Sequence, residues 1–241
     1  MTDWYSKIQK MGDGLVADAL PSVKRNMLKL PTPSLNWALG GGLAFGKILT
    51  VYGPESSGKS LIALLAAAEI HKNDPEAWVK WYDAEYSFDK DYAAKLGVDV
   101  KRMWITQSNK PSDIFDHFTD VVYPMIQGAK DGNKMPIKLM VVDLLKAIRG
   151  PRESATDSVE DHVMGDSSQL LNKAFRKILE PIRKESILTI LVQQVNEEMD
   201  QTRVMQGHKH RVPGGNALKH MSDYMVLVEK VNNKASKIFD E

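Results

Sequence analysis

The sequence predicts an α/β fold with a mainly parallel central sheet flanked by helices, and three observations carry that prediction. Short apolar runs of strand length alternate with longer stretches whose apolar residues recur every three or four positions. One junction, Gly53-Pro54-Glu55-Ser56-Ser57-Gly58-Lys59-Ser60, satisfies G-x-x-x-x-G-K-[ST] between an apolar run (Ile48 to Tyr52) and a helical one (Leu61 to Ile70). The length of 241 residues, with 43% apolar and 26% charged, suits one large domain and hardly two.

The elements follow in order. Residues 1–31 form a short N-terminal unit in which Trp4, Ile8 and Met11 mark one small amphipathic helix; residues 32–241 form the core. After the phosphate loop, Trp78 to Tyr82 and Met103 to Gln107 are aromatic and β-branched runs, hence strands, with a helical stretch around Tyr92 to Leu96 between them. Pro111 opens a helix with an apolar face of Ile114, Phe115, Phe118, Val121, Val122, Met125 and Ile126. Gly128, Asp131, Gly132 and Asn133 break it. Ile137 to Val142 then runs almost wholly apolar into Asp143, as a strand covered on both faces does. Residues 150–166 are polar and aperiodic. Leu170, Leu171, Ala174, Phe175, Ile178, Leu179 and Ile182 form a further amphipathic helix, expected to bend or end at Pro181. Ile187 to Val192 and Tyr224 to Val228 are the last strands, separated by the polar segment 196–216. In such a sheet, ligands bind at the carboxyl ends of the strands.

Composition narrows the partners. A formal charge of +1 and a pI near 7.8 give no global pull on polyanions or membranes, so any nucleic-acid site must be local. The absence of cysteine removes disulfides and thiolate chemistry. The longest apolar run, Leu61 to Ala68, is far short of the roughly 20 residues a membrane span needs. No secretory signal is visible at the N-terminus, and a cytoplasmic protein is expected.

The chemistry gathers at strand ends. The phosphate loop makes the chain a nucleoside-triphosphate binder. Gly53 and Gly58 let backbone N–H groups around Pro54, Glu55, Ser56 and Ser57 face phosphate oxygens, Lys59 neutralises the outer phosphates, and Ser60 can ligate Mg²⁺. Asp143 stands where a second carboxylate holds that ion directly or through water. Glu85, at the end of the strand before, could orient or deprotonate an attacking water, though a solvated loop carboxylate would look the same. Between Asn196 and Pro213 lie Arg203, His208, Lys209, His210 and Arg211, with no acid after Asp200. On charge alone this is either a solvated loop or a patch for nucleic-acid phosphates. His208 and His210 lack a nearby third ligand, which argues against a metal.

These motifs, with Asp83-Ala84-Glu85 and then Tyr92-Ala93-Ala94-Lys95-Leu96-Gly97-Val98-Asp99, resemble the RecA family of recombinases, including its phage UvsX-type members. Ser34-Leu35-Asn36-Trp37-Ala38-Leu39-Gly40 resembles the family's entry into the first core strand, and His162-Val163-Met164-Gly165 the start of its first DNA-binding loop. Gln193-Gln194-Val195 and Gly214-Gly215-Asn216-Ala217-Leu218-Lys219 resemble the borders of the second. The likeness covers about residues 32 to 230.

The resemblance implies a RecA-like ATPase core that uses ATP and Mg²⁺. It implies catalysis by Glu85, Lys59 and Gln194, with Glu85 activating water and Gln194 sensing the γ-phosphate. Asp89 and Tyr92 would hold the adenine; read alone, Tyr92 is a core aromatic. DNA contacts would come from Met164, Gly165, Arg203, Lys209, Arg211, Gly214, Gly215 and Asn216. The implied partners are single-stranded DNA, double-stranded DNA during exchange, and further copies of the chain in a filament, with no membrane. Val23 to Leu30 would be the extended segment that docks on a neighbouring copy.

Two departures stand out. Leu144 replaces the usual small hydroxyl residue after Asp143, which implies slower hydrolysis. The chain ends at Glu241, where the family continues, which implies a short or minimal member in which Lys230, Lys234 and Lys237 would replace cations of the missing tail. A hydrolysis-poor, ATP-switched paralogue and a ring-forming ATPase with the same core are the competing readings.

Overall fold

The computed structural model describes residues 26–128, 133–148, 166–197, 210–211, 213 and 215–230; residues 166–170, 197, 210–211 and 215–217 are described by backbone alone. Met27–Leu28 (β1) pairs antiparallel with Leu43–Ala44 (β2), and Pro33–Ala38 (α1) lies between them. Six strands then build the main sheet: Ile48–Gly53 (β3), Trp78–Asp83 (β4), Met103–Gln107 (β5), Ile137–Asp143 (β6), Leu188–Gln194 (β7) and Tyr224–Leu227 (β10). Their spatial order is β10-β3-β7-β6-β4-β5, and every neighbouring pair is parallel. A small antiparallel ladder joins Asn196–Glu197 (β8) to His210–Arg211 (β9). This is the mainly parallel, helix-flanked α/β architecture expected from the sequence.

Because side chains alternate across a strand, each central strand feeds two apolar layers. Leu49, Val51, Val79, Trp81, Leu139, Val141, Ile190 and Val192 face one way, against Lys59–Asn73 (α2) with its buried Ala63, Leu64, Ala66, Ala67 and Ile70. Ile48, Tyr82, Met140, Val142 and Leu191 face the other, against Ile114, Phe115, Phe118, Phe175, Ile178 and Ile182. Each fully buried Leu, Ile, Val or Phe contributes about 1.5–3 kcal/mol of transfer free energy. Lys90–Lys95 (α3), Tyr123–Gln127 (α4), Asp166–Lys184 (α5) and Gly215–Met221 (α6) complete the helices among the described residues.

Two expectations change. The helix opened by Pro111 winds through two π-type turns, Ser112–Asp116 and Phe118–Val122, before α4. Its innermost residues, Ile114, Phe118, Val122 and Ile126, are spaced by four, and the wider turn keeps that row on the core side, whereas Val121 and Met125 are only partly buried. Helix α5 does not end at Pro181. It runs to Lys184, with the proline in its last turn and the Pro181 carbonyl accepting from the Glu185 N–H at 3.0 Å. Of the expected docking arm, residues 26–30 are described, and they make contacts within their own chain. Leu28 and Leu30 are buried in the first layer, and the Asn36 side-chain amide holds the backbone of Leu30, accepting at 2.9 Å and donating at 2.7 Å. Trp4, Ile8, Met11 and residues 23–25 lie outside the described residues, as do Lys234 and Lys237.

Candidate functional site

Parallel strands deliver their carboxyl ends to one edge of the sheet, and register sets which residues meet there. Gly53 lies opposite Gln194, and Asp83 lies between Asp143 on one side and Gln107 on the other. The phosphate loop leaves from Gly53 into α2. A Cβ on Gly53 would sit 2.0 Å from the Val228 carbonyl oxygen and 3.0 Å from Ser57 Oγ, so only glycine fits. Ser56 (φ 54°) and Gly58 (φ +96°) both take the left-handed conformation that curls the loop. Gly58 caps the 15-residue α2 without a side-chain partner, so the first N–H groups of that helix open toward the loop.

Lys59 and Ser60 begin this helix. The Lys59 side chain is buried and its ammonium donates to the Pro54 carbonyl. Burial pulls its pKa down, opposed by the charges of Asp143, Glu85 and Glu55. The Asp143 carboxyl is pushed up to about 6, first by burial and then by the charges of Glu85 and Asp83, with the neighbouring Ser60 hydroxyl and the Lys59 charge opposing the shift. A buried carboxylate, a hydroxyl and further negative charge form a hard-oxygen set. Among the described residues no group of three or more His, Cys, Asp or Glu could hold a metal. The carboxylate and hydroxyl are hard oxygen donors, which suit an ion such as Mg²⁺ that keeps water and takes phosphate oxygens for the rest of its shell.

Glu85 is exposed on the turn after β4, close enough to Lys59 and Asp143 to influence both pKa values. Gln194 is half-buried at the end of β7, beside the loop, and the next N–H, of Val195, donates to the Gly53 carbonyl at 3.2 Å. The structure thus brings together Lys59, Ser60, Asp143, Glu85 and Gln194. Tyr92 is 43% exposed, which corrects its reading as a core aromatic. Asp89 has a local task that the sequence reading did not assign: its Oδ1 accepts from the N–H groups of Asp91 (2.9 Å) and Tyr92 (3.0 Å), capping α3. Leu144, joined to Asp143 by a cis peptide, is buried in the first apolar layer.

The proposed DNA residues are less fully described. Met164, Gly165, Arg203, Lys209 and Gly214 lie outside the described residues, and Arg211, Gly215 and Asn216 are described by backbone only. Asn196 pairs with Arg211, so the segment between them leaves and re-enters the structure at a point two residues beyond Gln194. The sequence reading missed two residues at this edge. Asp83 is buried among three donors, and Gln107 is one of them. The available signal was a carboxylate at a strand terminus followed directly by a turn.

A family model described as the RecA N-terminal domain matches residues 6–238. Protein RecA of Prochlorococcus marinus (strain AS9601) is 34% identical over 198 residues, which is 82% of this chain and 50% of that relative. Protein RecA of Bacteroides thetaiotaomicron is 35% identical over 215 residues, 88% of this chain and 58% of that relative. The chain thus spans about half the length of the curated relatives it matches.

Proposed function

Because the chain belongs to the RecA family, we propose that it is the ATPase core of an ATP-dependent, single-stranded-DNA-binding recombinase serving homologous recombination and DNA repair. The observation that carries this reading is the carboxyl edge of the sheet, where the buried Lys59 ammonium is folded back onto the phosphate loop and register sets Gly53 beside Gln194 and Asp143 beside Asp83, two residues before Glu85. That set holds a triphosphate on one side and places a base on the other.

The steps follow from the residues. The loop N–H groups and the start of α2 take the phosphates, and Lys59 exchanges the Pro54 carbonyl for the outer phosphate oxygens. Bound Mg²⁺ would neutralise charge on the phosphates from its place at Ser60 and Asp143. Glu85 accepts a proton from water as the water oxygen bonds to the terminal phosphorus, the bond from that phosphorus to the bridging oxygen breaks with its electron pair staying on ADP, and ADP and phosphate leave. Gln194 hydrogen-bonds the terminal phosphate and loses that partner on release. Its short link to the β8–β9 ladder carries the change to the cationic segment, where Arg203, Lys209 and Arg211 neutralise DNA phosphates. Asp89 and Tyr92 hold the adenine. ATP bound at the border between copies favours a filament in the cytoplasm.

The test is phosphate release with and without single-stranded DNA, paired with electron microscopy of the assemblies. DNA-stimulated turnover and helical filaments are expected; the absence of both ATP-dependent DNA binding and stimulated release would sink the proposal. A second reading, a hydrolysis-poor ATP-switched partner of DNA or of a recombinase, is favoured by Leu144, which turns an apolar side chain into the core. ATP-dependent DNA binding with negligible turnover would select it.

A further inference from the structure

We propose that Asp83 is a positioning residue for Glu85: its buried carboxylate closes the turn on which the general base is carried. The inference rests on the reading of Glu85 as that base. Asp83 ends β4 and is 1% exposed. Its Oδ1 accepts from the Ser87 N–H at 3.0 Å, and its Oδ2 accepts from the Phe88 N–H and from Gln107 Nε2, each at 3.0 Å. Among the described residues no cation forms an ion pair with it. Three donors are therefore what make this buried carboxylate tolerable.

The turn is held at both ends. The Ala84 N–H donates to the Asp143 carbonyl at 2.6 Å, which ties its start to the strand bearing the metal-site carboxylate. Phe88 packs edge-on against Trp81 with ring centroids 5.4 Å apart, which ties its end to the core. Between these anchors Glu85 and Tyr86 are exposed, and Tyr86 sits at φ 59°. A tyrosine keeps that left-handed conformation only where its surroundings over-determine it, and the Asp83 bonds across residues 84–88 supply that constraint. The clamp serves Glu85 because the direction of its carboxylate depends on a turn for which, among the described residues, Asp83 makes the side-chain hydrogen bonds.

The test is a kinetic cycle on the full chain with DNA present. Asp83→Asn keeps the size but turns a donor toward Phe88 N–H, opening the turn. It is expected to lower kcat about 10–100-fold while the KM for ATP moves less than about 3-fold, since the phosphate loop is untouched. Gln107→Leu, which removes one bond of three and leaves the turn to fold, is expected to lower kcat about 3–10-fold. Asp83→Asn combined with Glu85→Gln should be no slower than Glu85→Gln alone, because one residue acts through the other. Amide exchange at Ser87 and Phe88 should rise at least about 10-fold in Asp83→Asn, with β4 still protected.

Ordinary hydrolysis by Glu85→Gln would overturn the reading of Glu85 itself. A dead Glu85→Gln beside a fully active Asp83→Asn would overturn only the positioning role, as would multiplicative losses in the double variant. Unchanged exchange at Ser87 and Phe88 would refute the clamp whatever the turnover.

Discussion

Lys59, Asp143 and Lys80 are all ionisable groups in largely dry surroundings, and the partner each one finds decides its behaviour. Lys59 has only a carbonyl to hold until phosphates arrive, so Lys59→Ala removes charge-assisted bonds worth about 1.5–3 kcal/mol. Nucleotide affinity, measured by calorimetry, should fall about 10–100-fold. Asp143 has a folded pKa of about 6, above its ordinary 3.8. Its contribution to stability is therefore fully present below about 3.8 and is lost as pH rises through about 6. A divalent ion reverses that sign, because only the ionised carboxylate ligates. The extra melting temperature conferred by Mg²⁺ with nucleotide should be full at pH 7 and largely gone at pH 5; an equal gain at both would remove Asp143 from the metal site. Lys80 has no carboxylate. It lies fully buried, its ammonium donating to Thr106 at 2.5 Å and standing 4.5 Å and 4.4 Å from the Tyr82 and Trp104 ring centroids. Burial lowers it from 10.5 to about 7, so the folded chain releases a proton that the unfolded chain keeps, and stability declines as pH falls from about 10 to 7. Lys80→Met should raise stability by about 1–4 kcal/mol at pH 7, with a smaller gain at pH 9, measured by denaturant unfolding.

At the level of elements, single polar residues fasten secondary structures whose apolar faces do the bulk packing. Arg102 joins the end of α2 to the start of β5, with Nη1 donating to the carbonyls of Asp74 (3.0 Å), Pro75 (2.6 Å) and Ala77 (3.3 Å) and Nε to Asp99 (2.9 Å). Arg102→Ala leaves those carbonyls without this donor and should cost about 2–4 kcal/mol, read as a lower melting temperature without loss of nucleotide contacts. Asp223 does similar work for the edge strand β10, accepting from Lys47 at 2.7 Å and from the Ile48 N–H at 3.0 Å. The strands were legible in the sequence because β3, β6 and β7 are covered on both faces and so must be apolar throughout. The π-type turns after Pro111 were not, since spacings of three and four suit either winding and only packing against the sheet selects the wider one.

For the whole molecule, the expected switch depends on distance along the chain rather than through space. Gln194, the proposed sensor, lies at one end, and the ladder between Asn196 and Arg211 begins two residues later. Neutralising Lys209 and Arg211 together should weaken single-stranded DNA binding and flatten its dependence on log salt by roughly 0.7 per lost phosphate contact. An unchanged slope in a salt titration would move the DNA site elsewhere. The alternation of strands and helices, the phosphate loop with Lys59 and Ser60, and the strand-end Asp143 were visible in the sequence alone, because periodicity and motif spacing are local properties of the chain; Glu85 was ambiguous without the family resemblance, and Gln194 rested on that resemblance entirely. Only the tertiary structure decided that Asp83 is clamped while Glu85, two residues on and of the same chemistry, projects into solvent. It also decided that Leu30 packs on its own core. Those distinctions depend on which donors and apolar surfaces the neighbouring strands bring alongside, and strand register is set by the fold as a whole.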